Sequence, residues 1–167
     1  MHPNEQLIQK FYSSLQSLDA NGMCNCYHAE VVFSDPVFGR LAGQQACAMW
    51  RMLCARARDF TLVYDKIQAN AETGAAHLEA RYTFSKTGRP VHNVISGAFR
   101  FREGLIIQHT DTFNLWTWSR MALGPIGLLL GWTPVLQAGI RKNARQSLQD
   151  FMQGQNLDST NFSPPRR

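Results

Sequence analysis

From Thr61 to Trp118 apolar and polar residues alternate with a period of two, in four runs at about 61–69, 75–85, 91–102 and 105–118, and no other feature constrains the fold as much. Glu72-Thr73-Gly74, Lys86-Thr87-Gly88-Arg89-Pro90 and Glu103-Gly104 separate the runs. Connections this short join strands only in antiparallel fashion, so the segment predicts a meander. Neighbouring side chains on a strand point to opposite faces, which sets Leu78, Ala80, Tyr82 and Phe84 against His77, Glu79, Arg81 and Thr83. In the third run Ile95, Gly97, Phe99 and Phe101 oppose Ser96, Arg100 and Arg102. A sheet with one apolar and one wet face needs a cover over the apolar one.

The N-terminal third supplies that cover. Leu7, Ile8, Phe11, Leu15 and Leu18 recur at three- and four-residue spacing, an amphipathic helix over 4–18 that Asp19, Asn21 and Gly22 stop. A short helical turn at 23–27 precedes a strand at 31–35, which Pro36 ends because it has no amide hydrogen to donate. Gly39 and Gly43 mark a loop, and residues 44–58, free of Gly and Pro, predict a further helix. The expected architecture is one α+β domain over residues 1–120, its curved antiparallel sheet packed on N-terminal helices around one apolar pocket.

Beyond the sheet, residues 121–140 carry no charge and are long enough to raise the question of a membrane span. Gly124, Pro125, Gly127, Gly131, Pro134 and Gly139 break any such helix into short pieces. The segment therefore predicts an apolar helical hairpin extension over 121–152, lying over the pocket mouth, a dimer surface or a membrane surface, with Arg141, Lys142 and Arg145 behind it. Residues 153–167 read as a disordered tail.

Composition narrows the function classes. With 167 residues, 44% hydrophobic and 17% charged, the chain buries a core without metal or disulfide help. The formal charge of +5 is scattered rather than gathered in a run, so a nucleic-acid partner is not expected. Cys24, Cys26, Cys47 and Cys54 lack CxxC spacing and paired histidines, so no metal site is expected. No Gly-rich phosphate loop is present and no cofactor is expected. The absence of a charged-then-apolar leader makes cytoplasmic residence with reduced thiols the default.

Three ionisable groups break the inside–outside rule. His109 and Asp111 share parity with Leu105, Ile107 and Phe113, and Asp35 shares parity with Val31 and Phe33. A buried carboxylate without a partner shifts its pKa upward, so such groups need either mutual pairing or a functional cavity. One reading makes Asp35, His109 and Asp111 the catalytic set of an acid/base pocket. The other makes His109–Asp111 a structural pair and Asp35 the cap of the Pro36–Gly39 turn. Trp50, Tyr82, Phe99, Phe101, Phe113, Trp116 and Trp118 are candidates for an apolar lining, with Tyr12 and Asn93 as polar additions.

The order of helix, Asp-Pro strand, helix and long meander resembles the nuclear transport factor 2-like superfamily, in particular its ketosteroid-isomerase-like and polyketide-cyclase-like (SnoaL-like) branch. Ile8-Gln9-Lys10-Phe11, Phe33-Ser34-Asp35-Pro36-Val37-Phe38-Gly39, the run from Phe99 to Ile107 and His109-Thr110-Asp111-Thr112-Phe113 carry the resemblance, over residues 4–118. It implies a cone-shaped α+β barrel, a homodimer and a small apolar ligand, with Asp35 at the place of the isomerases' general base. Their oxyanion-hole tyrosine would fall at Phe11, beside Tyr12, and their protonated acid at Gly97. Two of three isomerase groups are thus replaced, and His109-x-Asp111 is closer to the cyclase-like pattern. The activity implied is isomerase, cyclase or epoxide-hydrolase chemistry without a cofactor; the alternative is a binding or membrane-peripheral module without catalysis.

Overall fold

A computed structural model describes residues 1–160 of the chain, with side chains through residue 156. Helix α1 (Pro3–Gln16) starts at a capping box in which the His2 side chain accepts from the Asn4 amide and Glu5 reaches back to the His2 amide. It buries Ile8, Phe11, Tyr12 and Leu15. After the single turn of α2 (Ala20–Cys24) the chain enters β1 (Tyr27–Asp35) and reverses into β2 (Gly39–Ala42), a short strand where a loop was expected. Helix α3 (Gln44–Arg56) follows, burying Ala46, Ala48, Met49, Trp50 and Met52.

Strands β3 (Thr61–Ala69), β4 (Thr73–Phe84), β5 (Arg89–Arg102) and β6 (Leu105–Thr112) form the meander that the alternation predicts. The sheet runs β2-β1-β6-β5-β4-β3, and its two end strands do not pair with each other, so it is curved but open. The one parallel neighbour pair is β1 with β6, which places the Asp35 strand beside the His109–Asp111 strand. Register shifts interrupt β1–β6, β3–β4 and β5–β6, and each adds the local bend that wraps the sheet around α1 and α3.

The shift in β5–β6 corrects one sequence expectation. Arg100 pairs with Gln108 but Phe101 with Ile106, so Ile107 is the extra residue of a bulge. Parity reverses there, and Ile106 rather than Ile107 is the fully buried side chain. A strict period of two fails at a bulge because two residues oppose one.

A second correction lies just beyond. The sheet ends at Thr112, and residues 115–118 begin helix α4 (Leu115–Leu123) instead of prolonging the last strand. Asn114 Oδ1 accepts from the Thr117 amide 2.9 Å away, the N-cap that starts the helix. Helical spacing turns Leu115, Trp118 and Ala122 inward and leaves Trp116 outside.

Helix α5 (Pro125–Leu130) and α6 (Pro134–Thr160) complete the chain. The expected breaks at Gly124 and near Pro134 occur, but from Pro134 onward the helix is continuous, so residues 153–160, assigned to a disordered tail, extend α6. Residues 161–167 of that tail lie outside the described part. No helix among the described residues is long and apolar enough to cross a membrane.

Two apolar clusters result. The larger joins α1, α3, β1 and the sheet; the smaller joins Val91, Leu115, Trp118, Ala122 and Ile140. Removing the α4 cap by Asn114→Ala should cost about 1 kcal/mol, read as a lower midpoint in urea denaturation. An unchanged midpoint would show that packing alone holds the helix start.

Candidate functional site

A cavity of about 400 Å³ lies between the two clusters, bounded by Phe33, Met49 and Leu78 of one and by Trp118 and Ile140 of the other. That volume suits a small organic ligand. Of the sequence candidates, Asp35, Asp111, Tyr12, Trp50, Tyr82, Asn93 and Phe113 all line it. His109, Phe99, Phe101 and Trp116 do not.

Asp35 closes β1 at the cavity wall. Its Oδ1 accepts from the amides of Val37 at 3.0 Å and Phe38 at 2.6 Å, so the turn role and the cavity position coexist in one carboxyl. Burial pushes its pKa up from 3.8 to about 7, the amide bonds of the turn oppose that rise, and the nearby Asp111 adds to it. The turn is held from behind by α6. Arg141 Nε donates to the Pro36 carbonyl at 3.0 Å, and Arg145 donates to the carbonyls of Phe38 and Arg40, each at 2.9 Å. Two of the three basic residues behind the apolar hairpin, for which a membrane surface was one of three alternatives, therefore position the Asp35 turn.

Asp111 reaches the cavity from β6 with its Oδ1 2.9 Å from His109 Nε2. His109 is completely buried, with Nδ1 2.7 Å from the Tyr27 hydroxyl, and Trp50 Nε1 donates to that hydroxyl at 3.0 Å. Every group is satisfied when Trp50 donates to Tyr27, Tyr27 to Nδ1, and Nε2–H to Asp111. Phe99 stacks on the imidazole with ring centres 4.4 Å apart, and Phe101 stacks on Phe99 in turn. His109 is thus the support behind Asp111, fixing one carboxyl oxygen and leaving Oδ2 without a hydrogen bond among the described residues.

Tyr12 supplies a contrasting observation. Its side chain lines the cavity, and its hydroxyl is buried with no hydrogen-bond partner among the described residues. Burial holds its pKa well above the usual phenol value, with Asp111 adding to the effect, so it is a hydrogen-bond donor at any ordinary pH. A Cβ at Gly97 would sit 2.5 Å from this hydroxyl and 3.3 Å from Asp111 Oδ1, so the glycine makes the room that the hydroxyl takes against β5 beside Asp111. The Asn93 side chain, nearby on β5, also makes no hydrogen bond within the described residues. By contrast the Tyr82 hydroxyl accepts from Trp118 Nε1 at 2.8 Å, and burial pushes its pKa up to about 12.

Tyr27 was missed by sequence reasoning because its position was read as the end of a helical turn; its parity with Val31 and Phe33 was the available signal. The cavity wall on α6, including Leu136 and Ile140, had no signal beyond a helical pattern. Among the described residues no group of His, Cys, Asp or Glu is arranged to hold a metal ion.

Comparison with known proteins identifies the fold and the family. The pattern of the SnoaL-like domain matches residues 8–109. An LEH-like epoxide hydrolase from M. tuberculosis superposes with a TM-score of 0.62 at 18% identity, covering 77% of this chain and 96% of that one. A protein with a ketosteroid isomerase-like fold from Catenulispora acidiphila, in complex with trimethylamine, gives 0.63 at 14% identity over 77% and 97%. A putative polyketide cyclase from Silicibacter gives 0.60 at 18% identity over 70% and 92%. No curated protein matches the sequence.

Because the carboxyl of Asp35 holds its proton more tightly folded than unfolded, the wild type loses stability as pH rises from about 4 to about 7 and levels off above. Asp35→Asn keeps an oxygen for the two amides and removes that dependence. Its stability relative to wild type should be greater at pH 8 than at pH 4, by at most about 4 kcal/mol in urea denaturation. Equal differences at both pH values would mean that Asp35 titrates normally.

Proposed function

The chain belongs to the SnoaL-like domain family, and on that premise we propose that its cavity is the active site of a cofactor-independent acid/base enzyme acting on a small apolar substrate that bears one polar oxygen. The observation that carries this reading is that one apolar cavity is lined both by Asp35, whose carboxyl is held at a raised pKa by burial, and by Tyr12, whose hydroxyl has no hydrogen-bond partner among the described residues. A base with a pKa near the working pH combines an adequate ionised fraction with a strong pull on the proton. The tyrosine hydroxyl is desolvated and pays no reorganisation when charge develops on an oxygen beside it.

With a carbonyl substrate, the Asp35 carboxylate takes a proton from the carbon next to the carbonyl, and the C–H electron pair moves onto the carbonyl oxygen. Tyr12 donates its hydrogen bond to that developing oxyanion. The protonated Asp35 then returns its proton, to another carbon of the same conjugated system in an isomerisation, or to the alkoxide oxygen left when the enolate carbon bonds to a second carbonyl carbon in a ring closure, with no net change in oxidation state. Asp111, held by His109, borders the same space and orients a substrate hydroxyl or a water through its free oxygen. Isomerase, cyclase and epoxide-opening reactions all fall within this proton inventory.

Two variants test the assignment against a panel of apolar ketones and epoxides. Asp35→Asn should lose about 10²- to 10⁴-fold in turnover with ligand affinity nearly kept. The wild-type rate should rise with pH up to about 7 for base-catalysed substrates and then level off, following the ionisation of Asp35. Tyr12→Phe removes a hydroxyl that has no partner among the described residues, so it should leave the melting temperature unchanged or raised while turnover falls. Ligand affinity in the wild type with no turnover of any compound would assign the cavity to a binding protein instead.

A further inference from the structure

The segment between α4 and α6 exposes an unusual density of apolar side chains. Ile126, Leu128, Leu129, Leu130, Trp132 and Val135 are all more than half exposed, Leu129 at 68% and Val135 at 83%. Contiguous exposure of this kind marks an interaction surface. It is built into the fold, because α5 lies so close on α4 that a Cβ at Gly127 would overlap the Ser119 carbonyl and one at Gly131 the Ser119 hydroxyl. The close approach fixes which side of α5 faces outward.

Three observations point to a lipid surface as the occupant. First, the side-chain donors of the tip are satisfied internally: Trp116 Nε1 donates to the Leu128 carbonyl, Trp132 Nε1 to that of Leu129, and the Thr133 hydroxyl to that of Leu130. Backbone bonds join Leu128 to Gly124 and Gly131 to Gly127. An apolar medium demands such self-sufficiency. Second, no Asp or Glu occurs between Asp111 and Asp150. Exposed cations flank the tip: Arg120 lies over the Trp116 ring at 5.3 Å, Arg89 packs beside Gly124, and Lys142 is exposed on α6. None of the three makes an ion pair among the described residues, so the rim complements an anionic surface. Third, α5 has six residues, roughly 9 Å of helix, which matches the depth of the interfacial zone and not a span.

We infer that the α5 tip, from Ile126 to Val135, docks this protein on an anionic lipid bilayer, with the apolar side chains inserted and Arg120, Arg89 and Lys142 at the headgroups. The inference stands whether or not the cavity is catalytic. Leu136 and Ile140, on the next turns of α6, line the cavity, so docking places the cavity wall beside the lipid in which an apolar ligand would dissolve.

Co-sedimentation of the full chain with phosphatidylcholine vesicles, with and without phosphatidylglycerol, tests it. The wild type should pellet with the anionic vesicles, lose binding as salt rises, and show Trp fluorescence quenched by brominated acyl chains. Leu129→Glu with Trp132→Ser, and separately Arg120→Glu with Lys142→Glu, should each lower partitioning by more than about tenfold with little change in melting temperature, since these side chains are exposed. Wild-type protein that stays in the supernatant with anionic vesicles, or variants that pellet equally well, would overturn the inference. So would a wild-type dimer that ignores vesicles and is split by Leu129→Glu with Trp132→Ser, an outcome that assigns the face to a second copy.

Discussion

An imidazole with no access to solvent must find partners for both ring nitrogens, and the way His109 does so organises much of the interior. One partner comes from the start of β1 through Tyr27, one from β6 through Asp111, and the Tyr27 hydroxyl is secured in turn by Trp50 of α3. A hydrogen-bonded chain thus fixes the parallel β1–β6 pair and the helix above it. Around it Phe11, Phe33 and Phe99 enclose the ring with centroids 4.4–5.2 Å away, which excludes water and raises the cost of leaving any member unpaired.

That chain ends at the cavity and gives it an asymmetric chemistry. Asp111 enters with one oxygen already committed, and Asp35 enters with one oxygen bound to two turn amides. The second oxygen of Asp111 makes no hydrogen bond among the described residues, and the charge of Asp111 helps hold a proton on Asp35. Tyr12 lines the same cavity, and its hydroxyl has no hydrogen-bond partner among the described residues. It is the one fully buried side-chain polar atom among them left so, and a buried donor without a partner costs free energy.

The long helix α6 has two roles that are interleaved along its length. Arg141 and Arg145 clip the Pro36–Arg40 turn, while Leu136, Ile140, Asn143, Ala144 and Ser147 complete the cavity wall. The site is therefore assembled from the family domain and from an addition to it. A shift of α6 therefore reaches Asp35 through the turn carbonyls and the cavity wall together.

The meander, the helices that cover it and the inward parity of Asp35, Asn93 and Asp111 were all legible in the sequence, because period and turn residues act over a few neighbouring positions. So was the interruption of the 121–140 stretch, because Gly and Pro impose their backbone preferences locally. The sequence could not show the Ile107 bulge or the helical start at Leu115, where cross-strand pairing and a single cap decide between two compatible periods. Nor could it place His109 behind the cavity and Tyr12 within it, since parity assigns a face but not a depth. The clip from Arg141 and Arg145 joins residues about a hundred positions apart, and only tertiary packing decides whether a cation on a helix meets solvent, lipid or a turn carbonyl. Local residue preferences determined the elements and which way their side chains face, and long-range packing decided which of those side chains share one cavity.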